Sequence, residues 1–131
     1  MINKKVLIVS ATYYSKFSNS LEFFASSILK AKKIKYKIIK VPGVFEIPVT
    51  ISKNIKKYDG FIALGCVIKG ETPHFDFISL AATNGIMTLS IDHKKPIANG
   101  IITSLNQKQA LIRSKKKGGE AARAIVSILS Q

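Results

Sequence analysis

Apolar residues in this chain alternate between two regimes: short continuous runs of strand length, and longer stretches in which they recur every three or four positions. Residues 5–10, Lys-Val-Leu-Ile-Val-Ser, are a β-branched run without a polar face and predict a buried strand. Ser18, Asn19 and Ser20 offer capping side chains to a helix, which Leu21, Phe24, Ala25, Ile28 and Leu29 carry along one face to about residue 33. Residues 36–41 predict a second strand, stopped by Pro42-Gly43, and residues 47–57 a second helix with Pro48 tolerated in its first turn. A third strand follows at 59–66, a third helix at 77–92 and a fourth strand at 96–103. Two last helices, 106–114 and 120–130, are expected on either side of a basic turn holding Gly118-Gly119.

Strict alternation of strand and helix predicts one domain over residues 1–131, built on a four-stranded parallel sheet with helices on both faces. The carboxyl ends of the strands then gather the loops at 13–17, 41–46 and 66–74, and the loop after Thr103. Ligands of open parallel sheets bind at that end, where helix N-termini present backbone N–H groups.

Composition narrows the function classes. With 47% apolar residues in 131, the chain is long enough to bury one core and is not a disordered segment. No apolar run approaches the roughly 20 residues of a membrane helix. The first apolar run is strand-length with no small-residue cleavage site, so no signal peptide is expected. The single cysteine, Cys66, allows no internal disulfide and suits a reducing cytoplasm. The net charge of +14 comes almost wholly from lysine, since only Arg113 and Arg123 are arginine. Lysine is a solvated point charge rather than a bidentate base reader. The cluster at 30–37 holds one tyrosine, Tyr36, and that at 115–117 none, which is not the aromatic interleaving that base stacking uses. The remaining lysines are scattered, as coding bias alone would scatter them, so no nucleic-acid or membrane partner is expected.

The richest segment is Gly65-Cys66-Val67-Ile68-Lys69-Gly70-Glu71-Thr72-Pro73-His74-Phe75-Asp76, a strand end, a polar loop and a helix start. His74 can exchange protons near neutral pH, or simply hydrogen-bond at the helix start. Gly70, Glu71 and Thr72 offer backbone N–H groups and a hydroxyl to a phosphate, which Arg113 could clamp; a plain surface arginine is the alternative. Glu46 stands alone in Val41-Pro42-Gly43-Val44-Phe45-Glu46-Ile47-Pro48, poised to accept polyol hydroxyls or to sit on a helix dipole. Phe17, in the polar loop after the first strand, either stacks on a flat heterocycle or packs back onto the helix it precedes. Cys66 reads as a packed thiol, and His93 as a cation at a helix C-terminus. No metal-ligand spacing and no glycine-rich nucleotide motif is present in the sequence.

These motifs together resemble the lumazine synthase family of riboflavin biosynthesis. The resemblance is carried by residues 41–48 and 63–76, by Gly100-Ile101-Ile102-Thr103 with Gln109-Ala110 and Arg113, and by Gly118-Gly119-Glu120-Ala121-Ala122. It implies a flavodoxin-like, three-layer α/β/α sandwich and a transferase. The implied reaction condenses 5-amino-6-(D-ribitylamino)uracil with 3,4-dihydroxy-2-butanone 4-phosphate to 6,7-dimethyl-8-ribityllumazine, releasing phosphate and water. By the same resemblance His74 transfers protons. Phe17 stacks on the pyrimidine, while Val44, Phe45 and Glu46 take the ribityl chain. Cys66, Val67 and Ile68 contact the uracil through backbone groups, and Glu71, Thr72 and Arg113 hold the phosphate.

The resemblance implies no metal or organic cofactor. Its implied partners are copies of the chain in a homopentamer or larger assembly with sites between subunits, and riboflavin synthase is a candidate partner. Four departures stand out. Asn99, which would face the uracil, replaces a common phenylalanine; Ser18 replaces asparagine, and Lys69 replaces arginine. The turn between Arg113 and Gly118 is short, which makes Lys117 only an approximate match to the family's lysine. Competing readings are an archaeal-type riboflavin synthase, a non-catalytic ligand-binding or scaffold homologue, and a basic nucleic-acid-binding module.

Overall fold

Val6, Leu7, Ile8 and Val9 expose no face to water, and they form β1 (Lys5–Ala11), an interior strand buried at every residue but the first. In the computed structural model, which describes residues 3–70 and 73–131, β1 leads into α1 (Ser15–Ala31) and β2 (Lys35–Val41). A single 3-10 turn (Val44–Glu46) opens α2 (Ile47–Asn54), followed by β3 (Gly60–Ile68), α3 (His74–His93), β4 (Ile97–Ser104) and α4 (Gln107–Leu129). The strands are all parallel, in the order β2-β1-β3-β4. This is the expected three-layer α/β/α, flavodoxin-like arrangement.

Alternate residues of the strands feed two separate cores. Val6, Ile8, Ile62, Leu64 and Ile102 meet Leu21, Ala25, Leu29, Ala122 and Ile125 of α1 and α4. Leu7, Val9, Phe61, Ala63 and Ile101 meet Ile47, Ile51, Ala82 and Ile86 of α2 and α3. The edge strand β2 carries Lys35, Lys37 and Lys40, charges that discourage pairing with another sheet.

Helix boundaries differ from the sequence-based expectation, α2 ending at Asn54 rather than at residue 57. α1 begins at Ser15, so Phe17 and Ser18 lie inside it. The Tyr14 carbonyl accepts from the N–H groups of Phe17 and Ser18, and the Ser18 hydroxyl bonds the Ser15 carbonyl rather than capping anything. α3 begins at His74 rather than at residue 77. Most consequentially, the basic turn expected at Gly118-Gly119 does not exist: α4 runs unbroken from Gln107 to Leu129, capped by Asn106 Oδ1 accepting from Gln109 N at 2.9 Å. Glycine in a helix interior costs about 1 kcal/mol against alanine, yet packing overrides it here. A Cβ at Gly118 would lie 2.2 Å from the Leu21 carbonyl oxygen, so only glycine lets α4 cross α1 this closely.

α3 is apolar on two faces. It buries Ala82 and Ile86 against the sheet, while Phe77, Leu80, Met87 and Ile91, on the opposite side, are 59–66% exposed. Helices apolar all round are ordinarily covered on both sides. Among the described residues no helix is long and apolar enough to cross a membrane.

The two adjacent glycines should therefore respond oppositely to alanine. Gly118→Ala should lower the urea midpoint by the equivalent of about 2 kcal/mol or more, because helix propensity cannot offset a clash with backbone. Gly119→Ala, whose Cβ would meet only the end of Arg123 at 3.4 Å, should be neutral or stabilising by up to about 1 kcal/mol. Both are read at one fixed protein concentration; equal midpoints for the two variants would contradict the packing explanation.

Candidate active site

Chain order creates a switch point between β1 and β3, since the chain first steps outward to β2 and then crosses back. Such points open a crevice at the carboxyl ends of the strands. The register widens it. Pairing of β1 with β3 ends at Ser10 and Leu64, whereas pairing of β3 with β4 continues to Ile68 and Ser104. Residues 65–68 thus extend past the end of the β1 ladder, and Cys66, Val67 and Ile68 wall a cavity of about 600 Å³.

Three further segments at this level contribute. Tyr13 and Tyr14 come from the end of β1, Val44, Phe45 and Glu46 from the 3-10 turn, and His74, Phe75 and Ile78 from the start of α3. The turn sits this close because β3 has no side chain at Gly65. A Cβ there would lie 2.8 Å from Val44 Cγ2 and 3.1 Å from Ala11 Cβ. With Val44 seated over Gly65, Phe45 is left 60% exposed and Glu46 turns toward the cavity. Glu46 precedes α2 but makes no side-chain cap. Its Oε1 lies 3.1 Å from where a Cβ of Gly43 would be, over bare backbone.

Burial pushes the Cys66 thiol up to about 11 and also raises the Tyr14 phenol, with Tyr13 and Cys66 adding to the latter. Both groups are therefore neutral near pH 7. His74 opens α3 and is exposed at the cavity's edge.

The cavity brings together Val44, Phe45, Glu46, Cys66, Val67, Ile68 and His74 from the residues singled out in the sequence. Phe17 is a correction. Its ring is 3% exposed inside α1 and belongs to the core under α1 and α4, so it offers no face to a ligand here. The exposed ring is instead Tyr13, 76% accessible and edge-on to Tyr14 at 4.9 Å. The available signal was position: Tyr13 is the second residue beyond β1, where strand ends aim side chains at the crevice.

Asn99 and Arg113 are not among the cavity's lining residues. Asn99 lies in the edge strand β4, its Oδ1 accepting from Ile101 N at 3.0 Å. Arg113 is exposed on α4 and donates through Nη1 to the Thr103 carbonyl. Glu71 and Thr72 lie outside the described residues. Among the described residues, no group of three or more His, Cys, Asp or Glu side chains could hold a metal ion.

A family profile and several relatives of the chain share one name. The family profile described as 6,7-dimethyl-8-ribityllumazine synthase matches residues 3–131. A protein of that name from Bartonella bacilliformis is 40% identical, covering 98% of this chain and 90% of its own length. Its namesake from Bartonella henselae is 43% identical, with 95% and 86% covered. That from Novosphingobium aromaticivorans is 40% identical, with 96% and 94% covered. With a profile match over nearly its whole length and relatives at this identity, the chain belongs to the 6,7-dimethyl-8-ribityllumazine synthase family.

Proposed function

We propose that the chain condenses 5-amino-6-(D-ribitylamino)uracil with 3,4-dihydroxy-2-butanone 4-phosphate to 6,7-dimethyl-8-ribityllumazine, releasing phosphate and water. The observation that carries the proposal is the convergence of Glu46, His74 and the β3 end on one cavity at the switch point. Glu46 supplies a carboxylate to the ribityl hydroxyls. The backbone of Cys66, Val67 and Ile68 reads the uracil, and Tyr13, rather than Phe17, supplies the ring that stacks on it.

The substrate amine is itself the nucleophile toward the butanone carbonyl, so the protein needs no covalent catalyst. His74 moves protons during imine formation and phosphate loss, help that is typically worth about 10²–10⁴-fold. Much of the remaining acceleration comes from holding two substrates in register. The neutral thiol of Cys66 fits a wall rather than a nucleophile.

The site is completed by a neighbouring copy. Arg113 and Asn99, which the resemblance assigns to the substrates, are absent from this cavity's lining. Phe77, Leu80, Met87 and Ile91 leave α3 an uncovered apolar stripe. Both features suit a ring of at least five chains, in which one chain's His74 faces Arg113 and Asn99 of the next, and Glu71 and Thr72 share the phosphate with that arginine. A heterologous contact that closes on itself produces such a ring.

The test is to mix protein with both substrates and follow lumazine absorbance and fluorescence against the uncatalysed background; no excess would refute the proposal. His74→Ala should lower kcat by about 10²-fold or more while ribitylaminouracil binding stays nearly intact. Unchanged turnover would remove its role. Arg113→Ala should raise KM for the butanone phosphate far more than for the pyrimidine, and equal effects would remove the phosphate clamp.

Cys66 gives a separate pH signature. Its alkylation by iodoacetamide should still climb about tenfold per pH unit at pH 10, where an ordinary thiol has levelled off. A plateau below about pH 9 would mean that the thiol is not buried in the cavity wall.

A further inference from the structure

The topology undoes the apparent scatter of the lysines. In a parallel sheet every connection into a strand returns to the same end, here the end opposite the candidate active site. Each of the three connections holds a lysine pair: Lys32-Lys33 before β2, Lys56-Lys57 before β3 and Lys94-Lys95 before β4. The chain enters β1 through a fourth pair, Lys4-Lys5, and Lys5 stands beside Lys35 in the sheet register. Against these charges that end carries Asp59, which accepts the Lys5 backbone N–H at 2.8 Å, and Asp92.

Helix C-termini favour nearby cations, and that role accounts for one of the lysines. Lys95 Nζ donates to the carbonyls of Ile55 and Tyr58 at 2.6 and 2.9 Å, closing the end of α2. Lys5 Nζ lies 5.7 Å from the centroid of the Tyr58 ring, and the others, like Lys5, are exposed. Among the described residues the lysine paired with a carboxylate is Lys40, 3.8 Å from Glu22 and outside this row.

Two members of the row also sit where lysine is a poor local choice. Lys33 and Lys94 end α1 and α3 with φ of 58° and 53°, the left-handed conformation that usually takes glycine or asparagine. A lysine in this conformation points to a use for its side chain.

We propose that this lysine row, at the amino-terminal end of the sheet, is a binding surface for a nucleic-acid phosphodiester backbone. Four strands spaced about 4.8 Å apart make a row about 15 Å long, enough to span roughly four phosphates of one strand. Lysines hold phosphates without reading bases, and the aromatics at this end, Tyr36 and Tyr58, are half-buried against the cores rather than free to stack, so binding is independent of sequence. The proposal departs from the expectation from the sequence that no nucleic acid is bound, on geometry that linear spacing does not display.

The experiment uses the full chain and fluorescein-labelled oligo-U and oligo-dT of about 20 nucleotides, read by anisotropy. With about four contacts, affinity should fall by roughly 50-fold between about 50 and 200 mM salt. Lys33→Gly, Lys57→Gln and Lys94→Gly combined should weaken binding at about 50 mM salt by tenfold or more, with thermal stability unchanged or higher. The control, Lys108→Gln, Lys115→Gln and Lys116→Gln, removes equal charge from α4 and should stay within about twofold of the native chain.

Binding of RNA alone, DNA alone or both supports the surface and identifies the source of the phosphates. No binding of either at low salt, or equal loss in the two triple variants, overturns it. Lumazine formation should be unaffected in both variants, so failure here is distinct from failure of the proposed activity.

Discussion

Glycine at position 65 is the constraint on which the candidate active site rests. β3 is buried along most of its length and outruns its ladder with β1, so its last residues form a wall rather than sheet interior. A wall alone recognises nothing. Because Gly65 has no side chain, the Val44–Glu46 turn settles directly onto β3, bringing an exposed phenylalanine and a carboxylate within reach of the histidine that opens α3. The prolines on either side of that turn hold its backbone before any ligand arrives, which limits the ordering cost of binding.

The strands were legible because continuous β-branched runs leave little alternative to a doubly buried strand, as at Val6 to Val9. The motif residues around Glu46 and His74 were legible because proline and glycine bracketing a lone ionisable group is a local pattern that survives into the fold. The misplaced start of α1 and the unexpected burial of Phe17 have one cause. Ser18 has the chemistry of a cap, but tertiary burial draws it and Phe17 inside the helix, leaving Tyr13 at the crevice. The unbroken α4 was hidden for a related reason. Gly118 signals a break to local propensity and a close helix crossing to packing, and the partner that decides, Leu21, is far away in sequence.

The same limit applies to charge. Lysines that look dispersed in the sequence become a row once parallel topology sends every strand entry to one end. The fold thus separates two kinds of chemistry along the strand axis. Polar groups converge in a cavity at the carboxyl ends, and flexible cations spread over a surface at the amino ends. The exposed apolar stripe of α3 lies on the side of that helix away from the sheet.

On the proposed reading a single chain presents part of a site, since His74 lines the cavity while Arg113 does not and bonds the Thr103 carbonyl instead. The most direct measurement dissociates and reassembles an equal mixture of His74→Ala and Arg113→Ala chains and assays lumazine formation. If sites form between neighbours, about a quarter of the interfaces in a random ring pair an intact His74 with an intact Arg113, and activity should rise toward a quarter of the native value. Activity no greater than the sum of the separate variants would mean that each chain builds its site alone.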